Sequence, residues 1–388
     1  MPSNFFFKTP GCFHIAFRGG LVVHVQVQGE VVTDLSADLQ GRHRGVDLQL
    51  TWLPLQSTLG FLRQNTGPCA VSHVVTFADC LEDLLQVQAP SRARLFRLLL
   101  CESERVVAHL LTLGRIARCM GILPLFSYMY QFRKQVARIS KKLWGTTRPQ
   151  DLIILGGCRL REVPQEHLDL WCDFFQQEAS PLVQLAETLL LKNPIFKERA
   201  SGLGLLSPSF ISEMGLSGPT ARASGVPLDA RSWGPSSLLY KELGFAPTCL
   251  SEGDVLARVR IRLDEVNPSI NLLKACCQKF PATTGMRAAN SSDLVSPSRL
   301  KEEPPLSISA LEEPLSTNQR QIYCGESPNG EFSVFAVGDE NRRLRRCRLQ
   351  PPSFKALQAF EKICIGQNIT DLEMLQLSLD IRIGELVG

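Results

Sequence analysis

Five charged residues in the middle of the chain are spaced between glycines in a way that lets them pair with one another. They are three arginines and two acids: Arg222, Asp229, Arg231, Asp254 and Arg258. Glycine and proline recur between them, and such residues mark places where the backbone turns or passes close to another segment. Arginine presents five donors in a planar fork that suits carboxylates. We therefore interpret the set as a buried structural network of ion pairs.

The cysteines could in principle bind a metal, but their spacing argues against it. All 13 are scattered, no Cys-x-x-Cys occurs, and the only close pair is Cys276 and Cys277. A zinc ribbon or an iron–sulfur loop needs clustered thiols, whereas dispersed thiols are typical of buried, inert side chains in a reducing compartment. His109 has no converging ligands and is interpreted as a core histidine. We predict that the chain binds neither nickel nor zinc.

Composition excludes two classes of protein. The chain has 388 residues, of which 44% are hydrophobic and 21% charged, with a net charge of +4. Basic residues are mixed with acids along most of the chain, so a nucleic-acid partner is not predicted. The basic run 342–348 is interpreted as a solvated strand edge or a subunit contact. No run of eighteen uncharged apolar residues occurs, so we predict no direct membrane span, and membrane association would go through partner subunits.

Periodicity predicts the elements that must position these residues. Alternating apolar residues around the Gly29 turn predict a β-hairpin near the N-terminus. Apolar residues three and four positions apart predict long helices at 89–119, 124–142, 164–192 and 255–280. Residues 286–321 are rich in Ser, Pro and Glu, so they are interpreted as a linker or a wrapping strap. An Asn-Gly turn at 329–330 predicts a second hairpin.

The order of three short motifs resembles a known family. Arg-Ala-Ser-Gly at 222–225, Asp-Ala-Arg at 229–231 and Gly-Asp-x-x-x-Arg at 253–258 follow one another as they do in the family of the 49-kDa subunit of respiratory complex I. That family shares ancestry with the large subunit of nickel-iron hydrogenases. The resemblance implies an α+β fold with an N-terminal antiparallel β-sheet, a central bundle of long helices and a small C-terminal α/β lobe. The corresponding divisions are 1–55, 56–285, the 286–321 linker, and 322–388.

The resemblance also assigns candidate quinone-pocket positions, and three of them are substituted. The family's His-x-x-x-His-Gly falls on His14, Arg18 and Gly19, its quinone-binding tyrosine falls on Thr66, and its coupled aspartate falls on Cys119. Arginine, with a pKa above about 12, cannot deliver a proton near neutral pH. Threonine is too weakly acidic to do so. The resemblance therefore implies a pocket that keeps hydrogen-bond donors but has lost the family's proton donors, so no catalytic residue is assigned.

Four positions correspond to the nickel-binding cysteines of the hydrogenase relatives. They are Thr66, Cys69, Arg382 and Glu385, and only one of them is a cysteine. A nickel-iron centre needs soft thiolate ligands. The resemblance therefore implies a scaffold without nickel at what we call the nickel positions.

The implied function is that of a core subunit of a proton-translocating NADH:quinone oxidoreductase. This subunit would form one wall of a quinone cavity beside an iron–sulfur subunit, with ubiquinone at the interface, a 4Fe-4S cluster in the neighbouring subunit and no cofactor of its own. Other peripheral-arm and membrane-arm subunits would be partners. The expected location is the matrix side of the mitochondrial inner membrane, or the cytoplasmic face of a bacterial inner membrane. A hydrogenase-related, ferredoxin-driven membrane complex and a mainly structural subunit remain alternatives.

Overall fold

The N-terminal part of the chain is an antiparallel meander. The computed structural model of the protein describes residues 4–9, 12–16, 21–39, 43–67, 69–288, 320–341 and 343–386. Four strands lie in the sheet in chain order: β1 Asn4–Thr9, β2 Cys12–Ala16, β3 Val22–Gln28 and β4 Val31–Asp38. Gly29 has a φ of +67° in the β3–β4 turn, a conformation that glycine adopts without steric cost. The N-terminal hairpin predicted from alternation is therefore confirmed.

Long helices form the centre of the molecule, close to where periodicity predicts them. Three shorter helices come first, and the four long ones surround a common core. The helices are α1 Val46–Trp52, α2 Leu55–Asn65, α3 Ala70–Leu84, α4 Ser91–Cys119, α5 Leu123–Trp144, α6 Gln165–Ala186 and, later in the chain, α12 Val255–Lys279. α4 packs against α5, α6 and α12, so it is the central helix of the bundle.

Short helices separated by glycine and proline fill the interval between α6 and α12. A π-helical turn at Glu187–Leu191 ends α6. The helices that follow are α7 Pro194–Ala200, α8 Pro208–Met214, α9 Gly218–Arg222, α10 Ala230–Trp233 and α11 Ser237–Glu242. Within the bundle, the two-residue strands β5 Ile153–Ile154 and β6 Gly157–Cys158 pair beside a 3₁₀ turn at Pro149–Leu152.

The C-terminal part adds a second antiparallel sheet and three helices. Strands β7 Arg320–Ser327, β8 Gly330–Gly338 and β9 Leu344–Gln350 lie in chain order, with the predicted hairpin turn between β7 and β8. Helices α13 Pro352–Ile363, α14 Leu372–Ser378 and α15 Ile383–Leu386 follow. β7 packs on α3, β9 on α1, and α13 on β4. The C-terminal segment thus contacts both the bundle and the N-terminal sheet.

This architecture confirms the predicted α+β fold, and one hydrophobic core runs through all three parts. The interval 1–55 contains helix α1 in addition to the strands, and β7 begins at Arg320. Most of the predicted linker, residues 289–319, lies outside the described residues, so its role stays a prediction. Within the described parts of the chain, no helix is both long and apolar enough to cross a membrane.

The cysteines are mostly buried among apolar side chains. Seven thiols are buried: Cys69, Cys80, Cys101, Cys158, Cys276, Cys347 and Cys364. The sulfur atoms of Cys172 and Cys277 meet at disulfide distance between α6 and α12, while their Cα atoms are 7.5 Å apart. That separation is wider than the roughly 4.4–6.8 Å of ordinary disulfides. The expectation of reduced thiols therefore stays a prediction.

Candidate functional site

Arg222 is the centre of a buried charge network that joins four parts of the chain. It lies in the last turn of α9 and is completely buried. Its guanidinium is 2.9 Å from Asp229, 2.7 Å from Glu265 on α12 and 2.8 Å from Glu326 on β7. The pKa of Glu265 lies well below its usual range because the Arg222 charge more than offsets the effect of burial. These ion pairs hold α9, α12 and the C-terminal sheet together.

Arg231 extends the same network to α4. It pairs with Asp229 at 2.7 Å and with Glu102 at 3.3 Å. Glu102 also pairs with Arg105 at 3.2 Å and accepts a hydrogen bond from the Tyr240 hydroxyl at 2.8 Å. All of these side chains are buried. Each of these charges pairs with an oppositely charged protein group, so the network has the character of a scaffold.

Asp254 and Arg258 belong to a separate cluster. Asp254 caps the start of α12 by accepting a hydrogen bond from the Ala257 amide at 2.7 Å. Arg258 donates to the carbonyl oxygens of Gly204 and Gly253 at 3.0 and 2.8 Å. Burial lowers the pKa of Arg258 to about 9. Within the described residues no carboxylate lies at ion-pair distance from Arg258, so the five predicted residues form two clusters.

The nickel positions converge, although Thr66 and Cys69 lie more than three hundred residues before Arg382 and Glu385 in the chain. Arg382 places Nη1 2.6 Å from the Cys69 sulfur and pairs with Asp380 at 2.7 Å. Gly67 packs against the same C-terminal segment, because a Cβ atom there would lie 3.2 Å from Cγ of Glu385. Three of the four positions, Thr66, Arg382 and Glu385, carry side chains without a thiol, so they cannot supply the thiolate ligands of a nickel-iron centre. Among the described residues, no group of three or more His, Cys, Asp or Glu side chains is arranged to hold a metal ion.

A large cavity of about 650 Å³ opens on one side of Gly67. It lies between α3, α4, α5 and the segment 147–150, and basic residues line it: Arg115, Arg133, Lys134, Arg148 and Arg382. Glu104 also lines it, and its carboxylate accepts hydrogen bonds from the amides of Val71 and Ser72 at 2.8 and 2.9 Å. That carboxylate therefore caps the start of α3. The large cavity is positively charged and is open to solvent along α5.

A small cavity of about 260 Å³ lies on the other side of Gly67. Its apolar walls include Leu62, Phe332 and Phe354, and its polar walls include Thr66, His73 and Glu385. Three buried polar atoms in those walls have no hydrogen-bond partner in the described structure: Thr66 Oγ1, His73 Nε2 and Glu385 Oε1. Unsatisfied polar atoms are rare in protein interiors. Their concentration around one cavity makes it a candidate binding or proton-transfer site.

Glu385 is fixed by its other carboxyl oxygen. Oε2 accepts hydrogen bonds from the Ser353 hydroxyl at 2.5 Å and from the Asn329 amide at 2.9 Å. Burial raises the pKa of Glu385 to about 7, while Arg382, Ser353 and Asn329 act in the opposite direction. The carboxyl group can therefore change its protonation state near neutral pH.

His73 and Thr66 form the neutral part of this wall. His73 is buried on α3 and stacks on Phe332 with ring centroids 4.0 Å apart. Burial and the nearby Arg382 charge lower the pKa of His73 to about 3, so its ring is neutral. Thr66 ends α2 as its C-cap residue. The contact of His73 with Phe332 on β8 joins residues far apart in the chain, so it cannot be read from sequence spacing.

Of the other predicted quinone-pocket residues, the structure describes the backbone of His14 and the whole of Cys119. His14 lies in β2, opposite Phe6 and His24 in the sheet register. Arg18 and Gly19 lie outside the described residues. Cys119 is half-buried at the end of α4 and lines neither cavity, and burial raises the pKa of its thiol to about 11. Of the predicted positions, the structure therefore places Thr66 at a cavity wall, and the roles of the others stay predictions.

Comparisons with known proteins agree over most of the chain. The family model described as respiratory-chain NADH dehydrogenase, 49 Kd subunit, matches residues 120–386. A subunit of the NADH-quinone oxidoreductase of Methylobacterium radiotolerans is 30% identical over 387 residues, which cover 96% of each chain. The corresponding subunit from Rhodopseudomonas palustris (strain BisB5) is 29% identical over 384 residues, covering 96% of this chain and 91% of that relative.

A solved structure shares the whole fold. A chain of the membrane-bound sulfane sulfur reductase, an archaeal respiratory membrane complex, superimposes with a TM-score of 0.84. The match covers 100% of this chain and 99% of that chain at 21% identity, so it shows likeness of fold. The family model is matched at the level of sequence, over more than half of the chain. This chain therefore belongs to the family of the 49-kDa subunit of respiratory-chain NADH dehydrogenase.

Proposed function

We propose that the chain is a core subunit of a respiratory NADH:quinone oxidoreductase and forms one wall of its quinone cavity beside an iron–sulfur subunit. Family membership and the names of the relatives support this assignment. The observation that carries the proposal is the large cavity, which is lined by Gly67 and by Arg382, one of the nickel positions. Its walls combine apolar side chains, such as Leu100 and Leu111, with basic ones, such as Arg115 and Arg382. A quinone ring and tail can pack against the first group while the quinone oxygens accept hydrogen bonds from the second.

The exposed face of α5 supports a partner at the mouth of this cavity. Leu123 and Tyr130 are 58% and 41% exposed, and the half-buried Phe126 stacks on Tyr130 with ring centroids 6.1 Å apart. Residues three and seven positions apart share one face of a helix, and Arg133 and Lys134 continue this face to the cavity. An exposed apolar stripe beside a charged rim is typical of a subunit contact. We assign this face to the iron–sulfur subunit.

In this proposal the chain binds and orients quinone while its partners supply electrons. The 4Fe-4S cluster belongs to the neighbouring subunit, ubiquinone is the substrate at the interface, and this chain holds no cofactor. Thr66, which lines the small cavity next to Gly67, keeps the family's assignment as a hydrogen-bond donor to the head group, and Arg18 and Cys119 keep theirs. None of these three side chains is an effective acid near neutral pH. The protons must therefore come from another group.

Location and electron donor complete the proposal. By family resemblance we place the subunit on the matrix side of the mitochondrial inner membrane. The relatives compared are bacterial, which supports the alternative of the cytoplasmic face of a bacterial inner membrane. Mass spectrometry of the native complex distinguishes the electron donors: flavin-containing, NADH-oxidising partners support the proposal. Ferredoxin-type partners would favour the hydrogenase-related alternative, and a complex without quinone reductase activity would favour a structural subunit.

Filling the large cavity tests the proposed quinone wall. Leu111 on α4 is half-buried and lines the cavity, so Leu111→Trp should lower quinone reduction by the purified complex by about 10-fold or more and weaken quinone-site inhibitors. Leu238→Trp is the matched control, because Leu238 is 75% exposed on α11 and lines neither cavity. Equal activity of both variants in assembled complexes would contradict the proposed wall.

The family register is tested by restoring the family's residues. Thr66→Tyr, Arg18→His and Cys119→Asp should each change turnover or inhibitor affinity if the three positions surround the head group. Thr66→Tyr is expected to raise turnover where the missing phenol limits the reaction. Unchanged turnover and inhibitor affinity in all three variants would show that the register over the first hundred or so residues is wrong.

A further inference from the structure

Proton supply is the step that the proposed function leaves open, and the small cavity contains a group suited to it. Glu385 is 5% exposed and lies in the cavity wall with Thr66 and His73. Its Oε2 is fixed by Ser353 and Asn329, while its Oε1 has no partner among the described residues. A carboxyl group that is held through one oxygen keeps the other oxygen available to carry and donate a proton.

The small cavity is next to the proposed quinone wall. Gly67 lines both cavities, and a side chain there would meet Gly384 and Glu385 at 3.2 Å. Arg382 lines the large cavity and Glu385 the small one, three residues apart on the same segment. Only a glycine and this segment therefore separate the carboxyl group from a head group at the inner end of the large cavity.

We propose that Glu385 supplies the protons for quinone reduction in this chain, with the Thr66 hydroxyl as the relay between Glu385 and the quinone oxygen. Thr66 Oγ1 and Glu385 Oε1 are both buried, and neither has a hydrogen-bond partner among the described residues, so the two are not bonded to each other in this structure. Both residues line the small cavity, and the transfer requires their oxygens to come within hydrogen-bond distance when quinone is bound. The hydroxyl gives its proton to the quinone oxygen and takes one from the carboxyl group of Glu385, which becomes a carboxylate. This inference rests on the proposed function and names its missing proton donor.

The reaction balances with the partners already named. Quinone takes two electrons from the iron–sulfur cluster of the neighbouring subunit and two protons, and becomes quinol. Each proton leaves Glu385 as H⁺, and the carboxylate is protonated again from solvent before the second transfer. Thr66 ends each transfer with its own hydroxyl proton restored, so it acts only as a relay.

Burial and the charges around Glu385 set the pH range in which turnover should depend on its protonation. Arg382, Asp380 and Cys69 lie on the segments packed against it, and His73 shares its cavity. The remaining charged or titratable residues lining the small cavity are His43, Asp47 and Arg348. Burial outweighs the Arg382 charge and sets the Glu385 pKa to about 7. Turnover that needs protonated Glu385 therefore falls as the pH rises through about 7.

Variants in the intact complex test the proposal. Glu385→Gln keeps the shape and the acceptor for Ser353 and Asn329 but carries no acidic proton, so quinone reduction should fall about 100-fold and lose its dependence on pH near 7. Thr66→Val should reduce turnover similarly. Ser353→Ala removes a hydrogen bond that stabilises the carboxylate, so its activity should persist to higher pH than in the wild type. Glu373→Gln is the control, because Glu373 on α14 lines neither cavity.

A second readout does not depend on turnover. Infrared difference spectra of the oxidised and reduced complex should contain a carboxylic-acid band that disappears in Glu385→Gln and persists in Glu373→Gln. Wild-type pH profiles in Glu385→Gln and Ser353→Ala, or retention of the band in Glu385→Gln, would overturn the inference while leaving the proposed function intact. A wild-type complex that reduces no quinone would overturn the proposed function itself.

Discussion

Arg222 and its neighbours show how charges are balanced in the interior of this protein. Three arginines, Arg105, Arg222 and Arg231, meet four carboxyl groups, and one of these, Glu326, has its pKa raised to about 7 by burial and by the charge of Asp229. A protonated Glu326 leaves three positive and three negative charges in the network. Buried pairs of this kind contribute specificity of packing more than net stability, which agrees with a scaffold role.

Removing the Arg222 charge should be far more damaging than removing a surface arginine. Arg222→Met leaves three carboxyl groups in the interior without their main partner, which costs about 3–5 kcal/mol. Arg260→Met on α12 breaks an exposed pair with Asp264 at 3.8 Å and should cost at most about 1 kcal/mol. Yield of the assembled complex and hydrogen exchange of α12 peptides measure the difference. Equal yields and exchange in the two variants would contradict the scaffold interpretation.

His109 should make this subunit less stable in mild acid. Burial lowers its pKa to about 4, against the opposing effect of the hydrogen bond that its ring donates to the Glu265 carboxylate, whereas an unfolded histidine titrates near about 6.5. The unfolded state therefore binds more protons between these values, and stability is lost as the pH falls from 6.5 toward 4, by roughly 3 kcal/mol. His109→Gln should flatten the pH dependence of hydrogen exchange in α4. The same slope in variant and wild type would count against this assignment.

At the scale of elements, sequence reasoning succeeds where a segment carries its own signal. The apolar periodicity of α4 and α12 and the turn at Gly29 are local, so the predicted bounds differ from the observed ones by only a few residues. The contact of Arg382 with Cys69 joins residues 313 positions apart. Only the family resemblance placed those positions together. The hydrogen bonds of Glu385 depend on a β-turn and a helix start that spacing alone cannot align.

Helix α9 can start where it does only because residue 218 is a glycine, which has no Cβ atom. Gly218 has a φ of +69° at the start of α9, and a Cβ atom there would lie 2.4 Å from the Cα of Gly330 in the β7–β8 turn. Gly218→Ala should therefore cost about 3 kcal/mol or more, through overpacking added to backbone strain. Gly244 has a similar φ of +77° with nothing within 4 Å, so Gly244→Ala should cost only about 1 kcal/mol.

Complex assembly separates these two glycine variants. Gly218→Ala should reduce the amount of complex and expose the β7–β8 hairpin to proteolysis, because α9 can no longer pack against the turn. Gly244→Ala should assemble normally. Comparable losses in the two variants would mean that backbone strain, and not the close approach of two chain segments, explains the requirement for glycine at 218.

At the scale of the whole molecule, the exposed apolar surface indicates a subunit and not an independent monomer. Leu48 and Trp52, one turn apart on α1, are 56% and 63% exposed, and Leu123 on α5 is 58% exposed. The large cavity opens beside the second of these helices. Exposed apolar side chains on two different helices are consistent with more than one contact region, as in the obligate interfaces of roughly 2,000 Å² or more that hold permanent complexes together.

We therefore expect the chain to aggregate when it is produced alone and to become soluble when it is produced with its iron–sulfur partner. When the iron–sulfur partner covers the α5 face, apolar area is removed from water and the charged cavity is closed. Coexpression should therefore give a complex of defined mass, measured by size-exclusion chromatography with light scattering. Leu123→Lys should weaken that complex, because it places a charge in the contact, whereas the matched Leu238→Lys on α11 should not. A stable, monodisperse monomer of the isolated chain would contradict this view, and a complex equally stable with Leu123→Lys would move the partner surface away from α5.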